Sequence, residues 1–325
     1  MLTVGIDIGG TSIRAGVVNP TGRVVDLATT PTPRTEAELD AAVVRVVREL
    51  GERHPVSAVG LAVAGFISED RRLVRFSPHL PWQGAAVGDR LSVALGTPVV
   101  LEHDVNAAAL AEYRFGSARD RGVVAMVAVG TGIGAALLVD GRLYRGAHGV
   151  APELGHLSLV PGGRPCPCGK TGCWERYCSG TALVDTVVEL ATDRSWPGSG
   201  LAAELAAGRE LTGEGVAEAA VAGDPLGAAG LDEFAGWLGR GLALVSDVLD
   251  PELIVLGGGV AASSELYLAS AVDHYTRAAT GTGHRPLASV GVSALGGRGG
   301  IVGAAELARD DLVGRESTLR AAPTR

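Results

Sequence analysis

Aromatic side chains are scarce in this sequence, at 4% of 325 residues, although hydrophobic residues reach 46%. The apolar mass is mostly Ala, Val and Leu, so aliphatic cores are expected, and disorder of the bulk of the chain is not. Lysine is almost missing too. Lys170 is the only one, so arginine carries nearly all the positive charge; this reads as a codon bias. No Lys/Arg run occurs and the net charge is −8, which argues against a nucleic-acid surface. Long apolar runs are also lacking. The most membrane-like stretch, 123–139, is shorter than a span of ~20 residues, and Gly130, Thr131, Gly132 and Gly134 interrupt it. Two buried strands about a tight turn are expected there instead. The start, MLTVGIDIGGT, has neither the basic segment nor the unbroken apolar run of a signal peptide. A cytoplasmic protein with no membrane partner is the expectation.

The length suffices for two cores. Strands are expected over 3–8, 13–18 and 23–28, joined through Gly9-Gly10-Thr11 and Asn19-Pro20-Thr21-Gly22. A helix follows over 36–53, where Leu39, Val43, Val46, Val47 and Leu50 share one face. Strand 56–64, helix 87–95, strand 97–101 and helix 105–115 come next. From Gly122 the pattern restarts, with strands 123–129 and 135–139 about a glycine turn. Helices are expected over 181–191, 215–221, 225–249, 264–278 and 300–309, and strands over 253–256 and 288–294, with a frayed tail after Asp310. Two segments that each open on a meander form a weak internal repeat. The fold class is α/β, with mixed sheets covered by helices.

Three glycine turns suit close approach to a ligand. In Asp7-Ile8-Gly9-Gly10-Thr11 an acid ends an apolar strand, where burying a carboxylate is costly unless it is paired. The glycines let backbone N–H groups face phosphate oxygens, and Thr11 adds a hydroxyl. Gly130-Thr131-Gly132-Ile133-Gly134 and Gly257-Gly258-Gly259 are the other two. Each alone fits an ordinary turn or bulge. No Walker GKS/T sequence is present.

Asp104, in Glu102-His103-Asp104-Val105-Asn106, stands where a strand meets a helix. A helix N-cap is its plain reading. The functional one is a base that takes a proton from a sugar hydroxyl, kept ionised by the helix N-terminus. Further on come Glu153-Leu154-Gly155-His156 and Cys166-Pro-Cys168, then Cys173-Trp-Glu175. Cysteines confined to one Gly- and Pro-rich loop favour a metal over a disulfide framework. C-x-C-x4-C with a nearby His suits structural, tetrahedral zinc. By spacing alone, either His156 or Cys178 supplies the fourth ligand. Glu153 and Glu175 suit sugar hydroxyls, which donate hydrogen bonds.

These motifs, ELGH followed by CPCGKTGCWE above all, resemble the ROK family of sugar kinases and repressors, particularly its bacterial glucokinase branch. The likeness runs from Asp7 to about Ala308. It implies an actin-like, ribonuclease-H-like pair of α/β domains with a cleft between them. The smaller domain would comprise 1–115 plus 300–325 and the larger 116–299. ATP with Mg²⁺ would be the donor and a hexose, glucose first, the acceptor. Asp7, Gly9, Gly10 and Thr11 would form the first phosphate loop and Gly130, Thr131 and Gly132 the second, with Gly257 and Gly258 near adenosine. Asp104 would be the base. Gly65, His79, His103, Asp104, Glu153, His156 and Glu175 would contact the sugar, and His156, Cys166, Cys168 and Cys173 would bind zinc. A homodimer is expected by the same analogy. Relatives often carry Asn where His79 and His103 stand, so another hexose (N-acetylmannosamine, N-acetylglucosamine, mannose or fructose) is the alternative substrate. A sugar-responsive repressor is the alternative class, disfavoured because only six residues precede Asp7.

Overall fold

The computed structural model describes residues 1–321, with side chains through 314. The strands are β1 Leu2–Ile8, β2 Ser12–Val18, β3 Val24–Pro31, β4 Val56–Val63, β5 Phe66–Ile67, β6 Val74–Phe76, β7 Val99–His103, β8 Val123–Val129, β9 Ile133–Val139, β10 Arg142–Leu143, β11 Leu253–Gly257 and β12 Ser289–Val292. The helices are α1 Glu36–Arg53, α2 Val87–Leu95, α3 Asp104–Phe115, α4 Gly180–Asp193, α5 Gly200–Ala206, α6 Gly213–Val221, α7 Pro225–Leu249, α8 Leu268–Ala278 and α9 Gly299–Ala321. None of those described is long and apolar enough to cross a membrane.

Packing divides the chain into two units. The first holds Met1–Asp120, Ala136–Pro152 and the chain from Gly297; the second holds Arg121–Ala135 and Glu153–Gly296. The first sheet has the order β3-β2-β1-β4-β7, antiparallel through the meander and parallel from β1 to β7. The second sheet has the order β10-β9-β8-β11-β12, with β8, β11 and β12 parallel. The internal repeat read from the sequence is therefore a repeat of topology. The first core is aliphatic, as expected, with Ile6, Ile13, Leu39, Val43, Leu61 and Leu101 fully buried. In the second core Phe234, Tyr275 and Trp174 join the aliphatic residues.

Helix α9 lies directly on the first sheet because of glycine. Gly16, Gly5 and Gly60 stand side by side in the register of β2, β1 and β4. A Cβ on Gly5 would overlap the Ile301 carbonyl oxygen, and one on Gly60 the Ala304 carbonyl oxygen. On another face of the helix, a Cβ on Gly303 would overlap the Ala107 carbonyl of α3.

Three differences from the sequence reading have local causes. The last helix does not stop at 309 but runs to Ala321, and residues 322–325 lie outside those described. Its continuation is held by Asp310, 2.8 Å from Arg114, and by Asp311, 3.4 Å from Arg71. β3 extends to Pro31, steadied by the Thr32 N–H donating to the Thr11 carbonyl at 3.0 Å. The α-helical turns of α8 begin only at Leu268, after a 3-10 stretch over Gly259–Leu266. The hairpin β5–β6 and the helix α5 were too short to show a periodicity.

Gly60→Ala should destabilise the protein by about 1–3 kcal/mol in denaturant titration, because the added methyl meets backbone that has nowhere to go. A change within about 0.5 kcal/mol would mean that α9 is not seated on β4 in this way.

Candidate active site

In the first unit, parallel pairing brings the carboxyl ends of β1, β4 and β7 to one edge, Ile8 opposite Val63 and Val63 opposite His103. Ligands of open α/β sheets gather at such edges. Asp7, Gly65, His103 and Asp104 all lie there.

Asp7 pairs with Arg14, its cross-strand neighbour on β2. Burial pushes the Asp7 carboxyl above its ordinary pKa; the Arg14 charge opposes the rise and the Asp104 charge adds to it. The two acids therefore feel one another within this unit. The first turn of α9 also meets Asp7, since a Cβ on Gly300 would sit 3.1 Å from the Asp7 Cγ. Beyond Asp7 the loop is tied at both ends. The Gly9 N–H donates to the Ser12 carbonyl at 3.1 Å, and the Thr32 hydroxyl donates to the Gly9 carbonyl at 2.6 Å. Thr11 is exposed.

His79 is exposed on a neighbouring loop, and a Cβ on Gly10 would approach its Cβ to 3.2 Å. That loop is held by Ser77, whose hydroxyl donates to the Ala64 carbonyl at 2.7 Å and accepts the Leu80 N–H at 3.2 Å. Gly65 has to be bare, because a Cβ there would overlap the Phe76 carbonyl.

Asp104 is not the cap of α3. His103 holds that position in extended backbone, and Asp104 is the first helical residue. Its carboxylate accepts the Val105 N–H at 2.8 Å and lies 3.3 Å from the His103 Nε2. Glu102, Asn106 and Arg145 were not singled out in the sequence. The Glu102 side chain is buried and takes Arg145 at 2.6 Å and Asn106 at 3.0 Å. An acid inside an otherwise apolar strand was the available signal.

In the second unit, the turn after β8 and the turn after β11 lie side by side, since Gly257 pairs with Ala128. Gly258 has φ +81°, and a Cβ on it would overlap the Val129 carbonyl. The Gly130 carbonyl accepts the Gly180 N–H at 2.8 Å, and the Thr131 carbonyl accepts the Thr181 hydroxyl at 3.0 Å, so the turn adjoins the start of α4. Glu175 reaches the same turn and accepts the Ile133 N–H at 3.3 Å.

The ligand atoms of His156, Cys166, Cys168 and Cys173 all lie within 4.8 Å of one another. The Cys168 and Cys173 sulfurs are 3.6 Å apart, and the Cys166 sulfur is 3.7 Å from the His156 Nδ1. Three thiols and a ring nitrogen at these separations fit a closed tetrahedral zinc site. Cys178 stands apart, fully buried in the hydrophobic core. His156 is flanked by both acids, with Nδ1 3.5 Å from Glu175 and Nε2 3.9 Å from Glu153.

Two α/β units of repeated topology, with glycine turns and acids at the ends of parallel strands, define an actin-like phosphotransfer fold. The chain belongs to the ROK family, whose family model matches residues 3–311. A glucokinase of Streptomyces coelicolor is 37% identical over 310 residues, covering 95% of this chain and 98% of that protein. A glucokinase of Halalkalibacterium halodurans is 30% identical, covering 92% of each. Among solved structures, a ROK family glucokinase from Streptomyces griseus in complex with glucose and AMPPNP superposes with TM-score 0.85 at 39% identity, covering 95% of this chain and 100% of that one.

Asp7→Asn should leave the melting temperature at pH 7 unchanged or raised. A carboxyl whose pKa is raised by folding weighs against the folded state where it is ionised. That burden is full above the raised pKa, falls as the pH drops through it, and is gone below the unfolded value near 3.8. The variant's advantage should shrink over the same window. A clearly lowered melting temperature at pH 7 would contradict the burial argument.

Proposed function

We propose that this chain is an ATP-dependent sugar kinase that transfers the γ-phosphoryl group of MgATP to the 6-hydroxyl of glucose. The observation that carries this reading is Asp104. It stands on the first turn of a helix, at the strand-end edge that also holds Asp7, in a chain that is 39% identical to a glucokinase solved with glucose and an ATP analogue. In the reaction the 6-hydroxyl oxygen attacks the γ-phosphorus, the bond to the bridging oxygen breaks, and ADP leaves with the electron pair. Asp104 accepts the hydroxyl proton. Most of the acceleration comes from positioning and charge stabilisation.

The other residues divide by chemistry. Gly9, Gly10 and Thr11, with Gly130, Thr131 and Gly132, offer N–H and hydroxyl donors to phosphate oxygens. Gly257 and Gly258 would lie near the adenosine. Glu153, His156 and Glu175 take sugar hydroxyls, joined by Gly65, His79 and His103. The separate parts 1–115 with 300–325 and 116–299 remain the functional division in this reading. A cytoplasmic homodimer is the form that the family likeness supports.

His156 through Nδ1, with Cys166, Cys168 and Cys173, would hold the zinc. When bound, zinc braces a loop that has almost no regular secondary structure of its own. The ring's Nε2 then faces Glu153, so the loop also orients a sugar contact. Metal analysis should find one zinc per chain, released by a chelator with a fall in melting temperature. Cys168→Ser should lose the metal and Cys178→Ala should keep it; the reverse result would replace this ligand set.

Asp104→Asn should lower kcat roughly a thousandfold or more while the sugar KM changes far less. Near-normal turnover would remove Asp104 from the role of base. A sugar panel in a coupled ADP assay should give glucose the highest kcat/KM; N-acetylmannosamine, N-acetylglucosamine, mannose or fructose ahead of it would redirect the substrate, since His79 and His103 stand where relatives often have Asn.

A further inference from the structure

The acid beside the proposed base is a second buried carboxylate with a complete set of partners. Glu102 is 2% exposed on β7, two residues before Asp104. Its Oε1 accepts the His103 N–H at 3.1 Å and the Asn106 amide at 3.0 Å. Those two donors lie one residue before and two residues after Asp104. One oxygen thus grips the chain on both sides of the base. Its Oε2 accepts the Nε of Arg145 at 2.8 Å and the same guanidinium's Nη2 at 2.6 Å. A buried carboxylate is retained only where such partners satisfy it, and charge-assisted bonds of this length hold their geometry closely. Asn106 is as buried as Glu102, so neither can be replaced by water without opening the first turn of α3.

We propose that the Arg145–Glu102 pair is a positioning device for Asp104, fixing the direction in which its carboxylate leaves the helix. This rests on Asp104 being the base. Neither residue reaches the reacting atoms in this proposal. Arg145 sets the Glu102 carboxylate, Glu102 sets the backbone at His103 and the side chain at Asn106, and Asp104 follows. A base displaced by even an ångström loses on the order of a hundredfold in rate, a larger effect than the weakening of one sugar contact at His103 or Asp104.

The test is a double-mutant cycle in steady-state kinetics, with glucose and MgATP. Arg145→Met should lower kcat roughly 30-fold or more, with the MgATP KM within about threefold of the original enzyme and the sugar KM, which His103 also serves, changed far less than kcat. Arg145→Lys keeps a charge for Glu102 but not the two-nitrogen grip, and should recover part of kcat; it also serves if Arg145→Met fails to fold. In the Asp104→Asn background, Arg145→Met or Arg145→Lys should cause little further loss, because there is no longer a base to aim. A purely structural pair would slow both backgrounds by the same factor, and that outcome overturns the proposal. So does unchanged kcat in Arg145→Met. If Asp104→Asn alone retains turnover, the base assignment fails instead, and the two failures are told apart.

Discussion

The first unit depends on how closely a helix can lie on a sheet. Gly16, Gly5 and Gly60 remove three neighbouring side chains from one face of β2, β1 and β4, and α9 settles into the space with its own backbone in contact. Interiors packed at this density transmit position with little slack. The seating of α9 brings Gly300 to the Asp7 carboxyl at one end. Along the same helix, Gly303 meets the backbone of α3 at Ala107, three residues from Asp104. One close approach therefore governs where both acids of the unit stand.

Asp7 is in tension with stability. Asp7 is kept where burial and a neighbouring negative charge both disfavour its ionised form, and only Arg14 opposes them. A fold selected for stability alone has no use for such a group. Glu102, more deeply buried, is treated in the opposite way: both its oxygens are filled by Arg145, His103 and Asn106. The contrast separates an acid left able to interact with a ligand from an acid committed to holding the chain.

The second unit solves a different problem. Between β10 and α4 the chain contains only short 3-10 turns at Leu154–His156 and Trp174–Arg176, with isolated bridges such as Ser158 to Cys173. The backbone hydrogen bonds of this loop, such as the Leu159 N–H to the Gly172 carbonyl at 2.8 Å, join single residues and build no continuous ladder. Trp174 anchors it to the core through its indole N–H, which donates to the Trp237 carbonyl at 3.0 Å. Three thiols and an imidazole drawn together on its other side offer a metal the work that a hydrophobic core does elsewhere.

By itself the sequence determined the things that depend on local pattern. The two meanders, the long helices α1 and α7, the three glycine turns and the Cys-rich loop were all legible, because alternation, 3.6-residue spacing and glycine carry direct backbone consequences. It also named Asp7, Asp104, Glu153, His156 and Glu175 as candidates. Only the tertiary structure decided what depends on distant partners. It chose His156 over Cys178 in the donor cluster, since proximity in three dimensions is not contained in spacing. It moved Asp104 from the cap to the first turn of α3 and extended α9 past Asp310 through Arg71 and Arg114. And it joined Glu102 to Arg145, 43 positions away in the chain, a pairing no window of sequence can contain because a buried charge is satisfied by whatever the fold brings to it.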